Sequence, residues 1–361
     1  MIGEPLAPYL AWAKARPRVA WDLASSNLLG CTLADAPWAH QALQITAAND
    51  EGLAALVEAI AARYGLPADC VATATGASGA NFLAFAALVG PGDEVLVERP
   101  GYDPLVGAPR LLGARVTRFD RWFEDGYRLD PAAVEQALSP RTRLVVVTNL
   151  HNPSGVVAAA ADLAAVGEVA ARVGARVLVD EVYLDTAWDG AATTAATLGE
   201  TFVVTSSLTK SYGLAGLRCG WVVGAPDVIA RVRRARDVVD GTGAVPAEAI
   251  AAAAFGHLDA LAARARALVG HNFSRVRETL GAARDVEWVA PAGGTVAFPR
   301  LRGRSDAGPF VARLQSHHST AVVPGHFFEA PAHFRVGFGG HPDVVEHGLA
   351  ALALALERDG G

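Results

Sequence analysis

Only two of the 31 basic residues are lysines, Lys14 and Lys210; the other 29 are arginines. Such a bias is what arginine-rich coding produces, because most surface lysines tolerate replacement by arginine. Arginine cannot replace an amine that must lose its proton and form a covalent imine, so a lysine that persists in mid-chain is a candidate nucleophile. Lys210 stands in SSLTKSYGLAGLRCGW, three residues after Ser207 and eight before Arg218. A valine-rich run ends in a hydroxyl-rich loop, then comes the amine, then a glycine-rich stretch leading to the guanidinium. A lysine amine forms a reversible imine with an aldehyde, and an arginine fork holds a dianionic phosphate. In VLVDEVYLD, Asp180 and Tyr183 close another valine-rich run. A carboxylate at the end of a buried strand is costly unless it is paired. TATGASGANFLAF reads as strand, glycine turn and helix. The first N–H groups of a helix are unpaired and carry positive partial charge, which makes Ala77 and Ser78 candidate backbone donors to a phosphate.

By the order of its motifs the chain resembles the fold-type I, pyridoxal-phosphate-dependent aminotransferases of class I/II, from about Leu53 to Gly339. The resemblance implies that Lys210 is the Schiff-base lysine, lying between the phosphate ligands Ser207 and Arg218, with Ala77 and Ser78 also at the phosphate. It implies that Asp180 faces the cofactor's pyridine nitrogen and keeps it protonated, so that the ring accepts electron density when a substrate bond breaks. Tyr183 and Asn152, the latter from NLHNPSGV, match the residues that hydrogen-bond the phenolic oxygen. Tyr102, in RPGYDPL, matches the aromatic that stacks on the ring. Arg335, in FRVGFGG, falls where the family grips the substrate's α-carboxylate with a two-pronged contact, with Asn152 beside it. The implied cofactor is pyridoxal 5'-phosphate and the implied partners are an amino acid, a 2-oxo acid and a second copy of the chain.

Some residues depart from that pattern or stand outside it. LQITAANDEG lacks the tyrosine that in the family reaches the partner subunit's phosphate. Ser26 or Asn27 is a candidate for the substrate pocket, and Trp38 and His40 either compensate or pack. Asn149, His151, Glu181 and Asp185 match no family role. Two other functions compete with transamination. A lyase that eliminates at the β- or γ-carbon would use the same lysine and electron sink. A non-catalytic cofactor-binding regulator would need an attached DNA-binding module, and the residues before Trp21 are too few and not basic enough for a helix-turn-helix.

The elements that must position these residues alternate along the chain. CVATAT, DEVLVER, RLVVVTN, RVLVDEVY, TFVVTSS and GWVVG are short, β-branched and bounded by turn residues, as strands are. Their continuous hydrophobicity predicts a doubly wound, mostly parallel sheet covered on both faces by helices, an α/β fold. GLAALVEAIAARYG, ASGANFLAFAALVG and AADLAAVGEVAARVG read as the flanking helices, each closing at a glycine suited to a left-handed cap. After about residue 225 the texture shifts to arginine-faced helices and short strands, which suits a smaller α+β domain. The expected division is residues 1–30 packing with the small domain, 31–255 as the large cofactor-binding domain and 256–361 as the small one.

Composition narrows the partners. The chain has 361 residues, 52% hydrophobic and 19% charged, with a formal charge of −6. It has no basic face for nucleic acid or anionic lipid, and small molecules are the expected ligands. Three cysteines far apart match neither a zinc site nor a disulfide framework, and the setting read from them is reducing and cytoplasmic. No apolar stretch reaches the roughly 18 residues of a membrane span.

Overall fold

The computed structural model describes residues 6–188 and 192–359. Seven strands build the central sheet: β1 (Val71–Thr75), β2 (Glu94–Arg99), β3 (Arg115–Asp120), β4 (Thr142–Thr148), β5 (Arg176–Asp180), β6 (Phe202–Ser207) and β7 (Cys219–Val223). Their order is β1-β7-β6-β5-β4-β2-β3. All neighbours run parallel except β7, which is antiparallel to both β1 and β6. Valines and leucines alternate between two apolar clusters. Val145, Val147, Val177, Val179 and Val204 face one, while Leu144, Val146, Leu178 and Val203 face the other. Both faces are covered, which is why these strands read as unbroken hydrophobic runs.

Six of the strands match the sequence expectation, with RVLVDEVY ending early at Asp180. The seventh, β3, is not among those expected. RVTRFD lies at the sheet edge with only Phe119 buried, so its arginines and threonine obscure the β signal. Gly65 and Gly174 take left-handed φ values of 66° and 74° after their helices. Gly90 does not: the helix ends at Leu88, Val89 is extended, and the left-handed residue is Gly92. Pro91 disfavours helical geometry at the residue before it, so the chain leaves the helix extended and turns one step later.

Four helices bear on the site: α1 (Pro8–Ala15), α2 (Gly76–Leu88), α3 (Thr209–Tyr212) and α4 (Leu258–Ala282). The 25-residue α4 joins two hydrophobic clusters, placing Leu261 against the sheet core and Val269, Val276 and Leu280 in a C-terminal core. That second core also takes in Leu23 and Leu28 from the N-terminal segment. Trp21–Asp22 pairs in parallel with Thr320–Ala321. The early chain is thereby stitched to elements about 300 residues later. No helix among the described residues is long and apolar enough to cross a membrane.

Candidate active site

The carboxyl edge of the sheet gathers chemistry because its register aligns three strand ends. Thr148 pairs with Asp180, Asp180 pairs with Thr205, and Ser207 pairs with Gly220. Ligands of open α/β sheets bind at such an edge. A cavity of about 220 Å³ lies there. Its walls include Asp180, Tyr183 and Asn152 on one side and Ser207, Lys210 and Arg218 on another. Tyr102, Ala77 and Ser78 complete the enclosure. Thus all but one of the site residues read from the sequence meet in one place.

Lys210 is half-buried on α3, the short helix that follows β6. Its Nζ donates to Ser26 Oγ at 2.9 Å and to Asn27 Oδ1 at 2.6 Å, and it lies 5.9 Å from the centre of the Tyr183 ring. Burial, and then the positive charge of Arg335, push its amine down to about 8. Asp180 is 5% exposed and accepts from Asn81 Nδ2 at 2.7 Å and from the Val182 N–H at 3.0 Å. Burial raises its carboxyl above the ordinary aspartate range, opposed by those two hydrogen bonds and by Lys210. Tyr183 donates its hydroxyl to the Ser26 carbonyl at 3.3 Å, and burial raises its phenol as well.

The opposite end of the cavity suits an anion. No side chain caps the start of α2, so its first N–H groups are left for a ligand. Arg218 reaches over Gly76, and a Cβ on Gly76 would collide with its guanidinium. A Cβ on Gly220 would lie 2.6 Å from the Gly76 carbonyl oxygen and 2.8 Å from the Ala77 nitrogen. Real Cβ atoms do not come so close, so only glycine lets β7 press the turn into place. Arg218 itself makes only a 3.3 Å contact to the Ala215 carbonyl and no ion pair among the described residues. A phosphate fits this combination of bare helix terminus and uncommitted guanidinium. With an amine of lowered proton affinity and a buried carboxylate in the same cavity, the residues fit pyridoxal 5'-phosphate.

Arg335 is the exception to the common wall. It lies on Phe334–Gly337, fully buried behind the cavity, and donates Nη1 to Asn152 Oδ1 at 3.2 Å and Nη2 to Tyr9 Oη at 2.6 Å. Its guanidinium carbon is 4.9 Å from the centres of both the Tyr9 and Phe328 rings. No carboxylate pairs with it among the described residues, and Nε has no partner. Nη2 also donates to the Ala24 carbonyl at 3.3 Å, so the buried cation is held by neutral groups alone.

Tyr9 and Leu10 escaped sequence reasoning, whereas Ser26 and Asn27, the pocket candidates of the sequence, do line the cavity. Tyr9 and Leu10 come from α1, which covers the cavity, and the Tyr9 N–H is tied to Asp103 Oδ2 at 2.7 Å. Ser26 and Asn27 arrive because FRVGFGG supplies glycines. The Gly337 N–H donates to the Leu23 carbonyl and the Leu29 N–H to the Gly339 carbonyl, both at 2.6 Å. A Cβ at either glycine would strike the 23–27 backbone. The remaining polar candidates are structural. Trp38 stacks on His257 at 4.9 Å, and His151 bridges Ser154 and the Pro100 carbonyl. Asn149 accepts from the Ala158 N–H, Glu181 from Thr194 and Ala195, and Asp185 from Arg63 and Tyr212. The three cysteines are free, and no group of metal-ligating residues occurs among the described residues.

The lowered proton affinity of Lys210 has a kinetic signature. Below about pH 8 the folded chain keeps this amine protonated and unreactive, and above it the free amine dominates. Covalent uptake of pyridoxal phosphate by the cofactor-free chain, followed by stopped-flow absorbance, should therefore rise with a midpoint near 8. An ordinary lysine would place that midpoint at ~10.4.

Comparison with known proteins identifies the family. The model for "Aminotransferase class I and II" matches residues 42–352. Capreomycidine synthase of Streptomyces vinaceus is 33% identical, the match covering 98% of this chain and 94% of that one. A pyridoxal-phosphate-dependent aminotransferase from Streptococcus suis superposes with a TM-score of 0.91 at 26% identity, covering 98% of both chains. The structure of the pyridoxal-phosphate-dependent cyclase OrfR gives a TM-score of 0.88 at 29% identity, covering 99% of this chain and 98% of that one. With the family model spanning most of its length and this constellation inside the matched region, the chain belongs to the class I and II aminotransferases and is a pyridoxal-phosphate-dependent enzyme.

Proposed function

We propose that the protein transfers an amino group from an amino acid to a 2-oxo acid, with each site residue in the role its position suggests. When bound, the cofactor supplies an aldehyde and an electron-accepting ring. Ser207, Arg218 and the N–H groups of Ala77 and Ser78 would hold its phosphate, and Tyr102 would pack against the ring. Asp180 would hold a proton at the ring nitrogen, and Asn152, with Tyr183 once its hydroxyl leaves the Ser26 carbonyl, would donate to the phenolic oxygen. Arg335, with Asn152 beside it, orients the α-carboxylate of the amino acid. Lys210 would take and return the proton at the substrate's α-carbon, its Nζ acting as base and then as acid. The observation that carries this reading is the convergence on one cavity of an amine with lowered proton affinity, a buried carboxylate and, directly behind the wall, an acid-free arginine.

A second reading has its own support. Two of the similar proteins are named a synthase and a cyclase, not transaminases. The same lysine and electron sink serve elimination, because the bond held perpendicular to the ring decides the outcome. Incubating the holoenzyme with a panel of amino acids and a 2-oxo acid separates the two. Transamination should yield a new amino acid and a new 2-oxo acid in equal amounts, and only when the acceptor is present. Ammonia and a 2-oxo acid released without acceptor would overturn it in favour of elimination. Lys210→Ala should lower turnover by at least ~10²-fold, the scale of a lost acid–base group. Arg335→Lys should act mainly on KM for the amino acid, because a point charge cannot make the two-pronged contact.

We also propose a homodimer. Leu43, Ile45, Val238 and Val239 are exposed, Ile45 by 81% and Val238 by 87%. The two segments that carry them are joined by the Glu51–Arg234 ion pair and by Asn49 donating to the Gly243 carbonyl, so they form one surface. An apolar surface of this kind calls for a cover, which the same surface of a second copy would supply. Light scattering should report about twice the 37.4 kDa of one chain, and a monomer at micromolar concentration would refute this. Within each copy, we propose a large unit of residues 31–255 and a small unit of 256–361 that packs with residues 1–30. Support comes from the separate sheet and C-terminal cores that α4 joins. Native-state hydrogen exchange should show two protected blocks that meet within α4, and uniform protection would argue against the division.

A further inference from the structure

We propose that Asn81 and Thr205 act as a positioning relay for Asp180. The inference rests on the reading of Asp180 as the partner of the cofactor's ring nitrogen and adds residues that the family motifs do not mark. Asn81 lies in the apolar run GANFLAF on α2, where the hydrophobic pattern would accept leucine. A buried amide within a helix is unfavourable unless both its polar ends are used. Both are. Asn81 Nδ2 donates to Asp180 Oδ2 at 2.7 Å, and Asn81 Oδ1 accepts from the Thr205 hydroxyl at 2.6 Å.

The chemistry sets the direction of each bond. An ionised carboxylate only accepts, so the amide must turn its NH2 toward Asp180, which leaves its oxygen toward Thr205. The Thr205 hydroxyl must then donate. Thr205 is fully buried and pairs with Asp180 across adjacent strands, so the sheet register sets the span of the relay. Asp180 Oδ1 is separately tied to the Val182 N–H. With both oxygens restrained, the carboxylate cannot swing away from the cavity. Hydrogen bonds to its charged form also offset the burial that would otherwise neutralise it. Thr205, which lies outside the cavity lining, and Asn81, which is part of it, therefore preserve the ionised, oriented state that Asp180 needs.

The test uses the holoenzyme with Thr205→Val, Thr205→Ser, Asn81→Leu and Asp180→Asn. It measures the dissociation constant for pyridoxal phosphate and the rate of the half-reaction with an amino donor. Thr205→Val keeps the shape and removes the donor; it should weaken cofactor retention and slow the half-reaction by about tenfold each, the low end for a supporting hydrogen-bond partner. Thr205→Ser, which keeps the hydroxyl, should stay within about twofold of the parent. The Asn81→Leu/Thr205→Val double variant should be no worse than the more damaged single one, because the two act as a unit. A damaging Asp180→Asn beside a silent Thr205→Val overturns the relay while leaving the role of Asp180 intact. A silent Asp180→Asn overturns that role, and the relay with it. Equal damage from Thr205→Val and Thr205→Ser overturns the relay in favour of simple packing.

Discussion

Three cations, Lys210, Arg218 and Arg335, share the surroundings of one small cavity with a single deeply buried carboxylate, Asp180. Burial disfavours the charged form of the lysine first, the nearby arginine charges add to that, and the lysine is the cation that can respond by losing a proton. Its amine is thereby brought toward the free-base form that attacks an aldehyde. The two arginines cannot lose their protons, so they hold the cavity positive and receptive to anions at both ends. Asp180 is the counterweight, and it stays useful only while its own charge is protected from burial.

Keeping such groups together requires backbone to run closer to backbone than side chains permit. At the anion-binding end, Gly220 lets β7 press against the turn that opens α2. At the other end, Gly337 and Gly339 let the 23–27 segment lie against the C-terminal strand, and that contact delivers Ser26 and Asn27 to Lys210. α1 then closes over the cavity through Tyr9, whose hydroxyl meets Arg335 and whose N–H is held by Asp103. This end of the site is thus assembled from the beginning, the middle and the end of the chain. Glycines here supply absent volume, a different use from the positive φ at Gly65 or Gly174.

What could be read in the sequence was local. Lys210, Ser207 and Arg218 lie within a dozen residues, and their spacing survives as geometry because a strand end, a four-residue helix and a short turn leave little freedom. Asp180 and Tyr183 were legible because a carboxylate closing a valine-rich strand is conspicuous. Asn81, Tyr9, Thr205 and Asp103 were not legible. Each is an unremarkable residue in its own segment, and its partner lies 94 to 326 residues away for all but the register neighbours. The edge strand β3 was not legible for a related reason: only Phe119 in it is buried, and its arginines, threonine and aspartate resemble a polar loop.

By itself the sequence determined the class of fold and the chemistry available. Runs of β-branched residues between amphipathic helices admit few structures other than a covered parallel sheet, and one mid-chain lysine among 29 arginines marks where an amine is indispensable. Only the tertiary structure decided how each group behaves. Proton affinity, the orientation of a carboxylate and the readiness of an arginine to receive an acid depend on distance and on the exclusion of water. Those quantities arise when remote segments pack together, and no stretch of chain carries them alone.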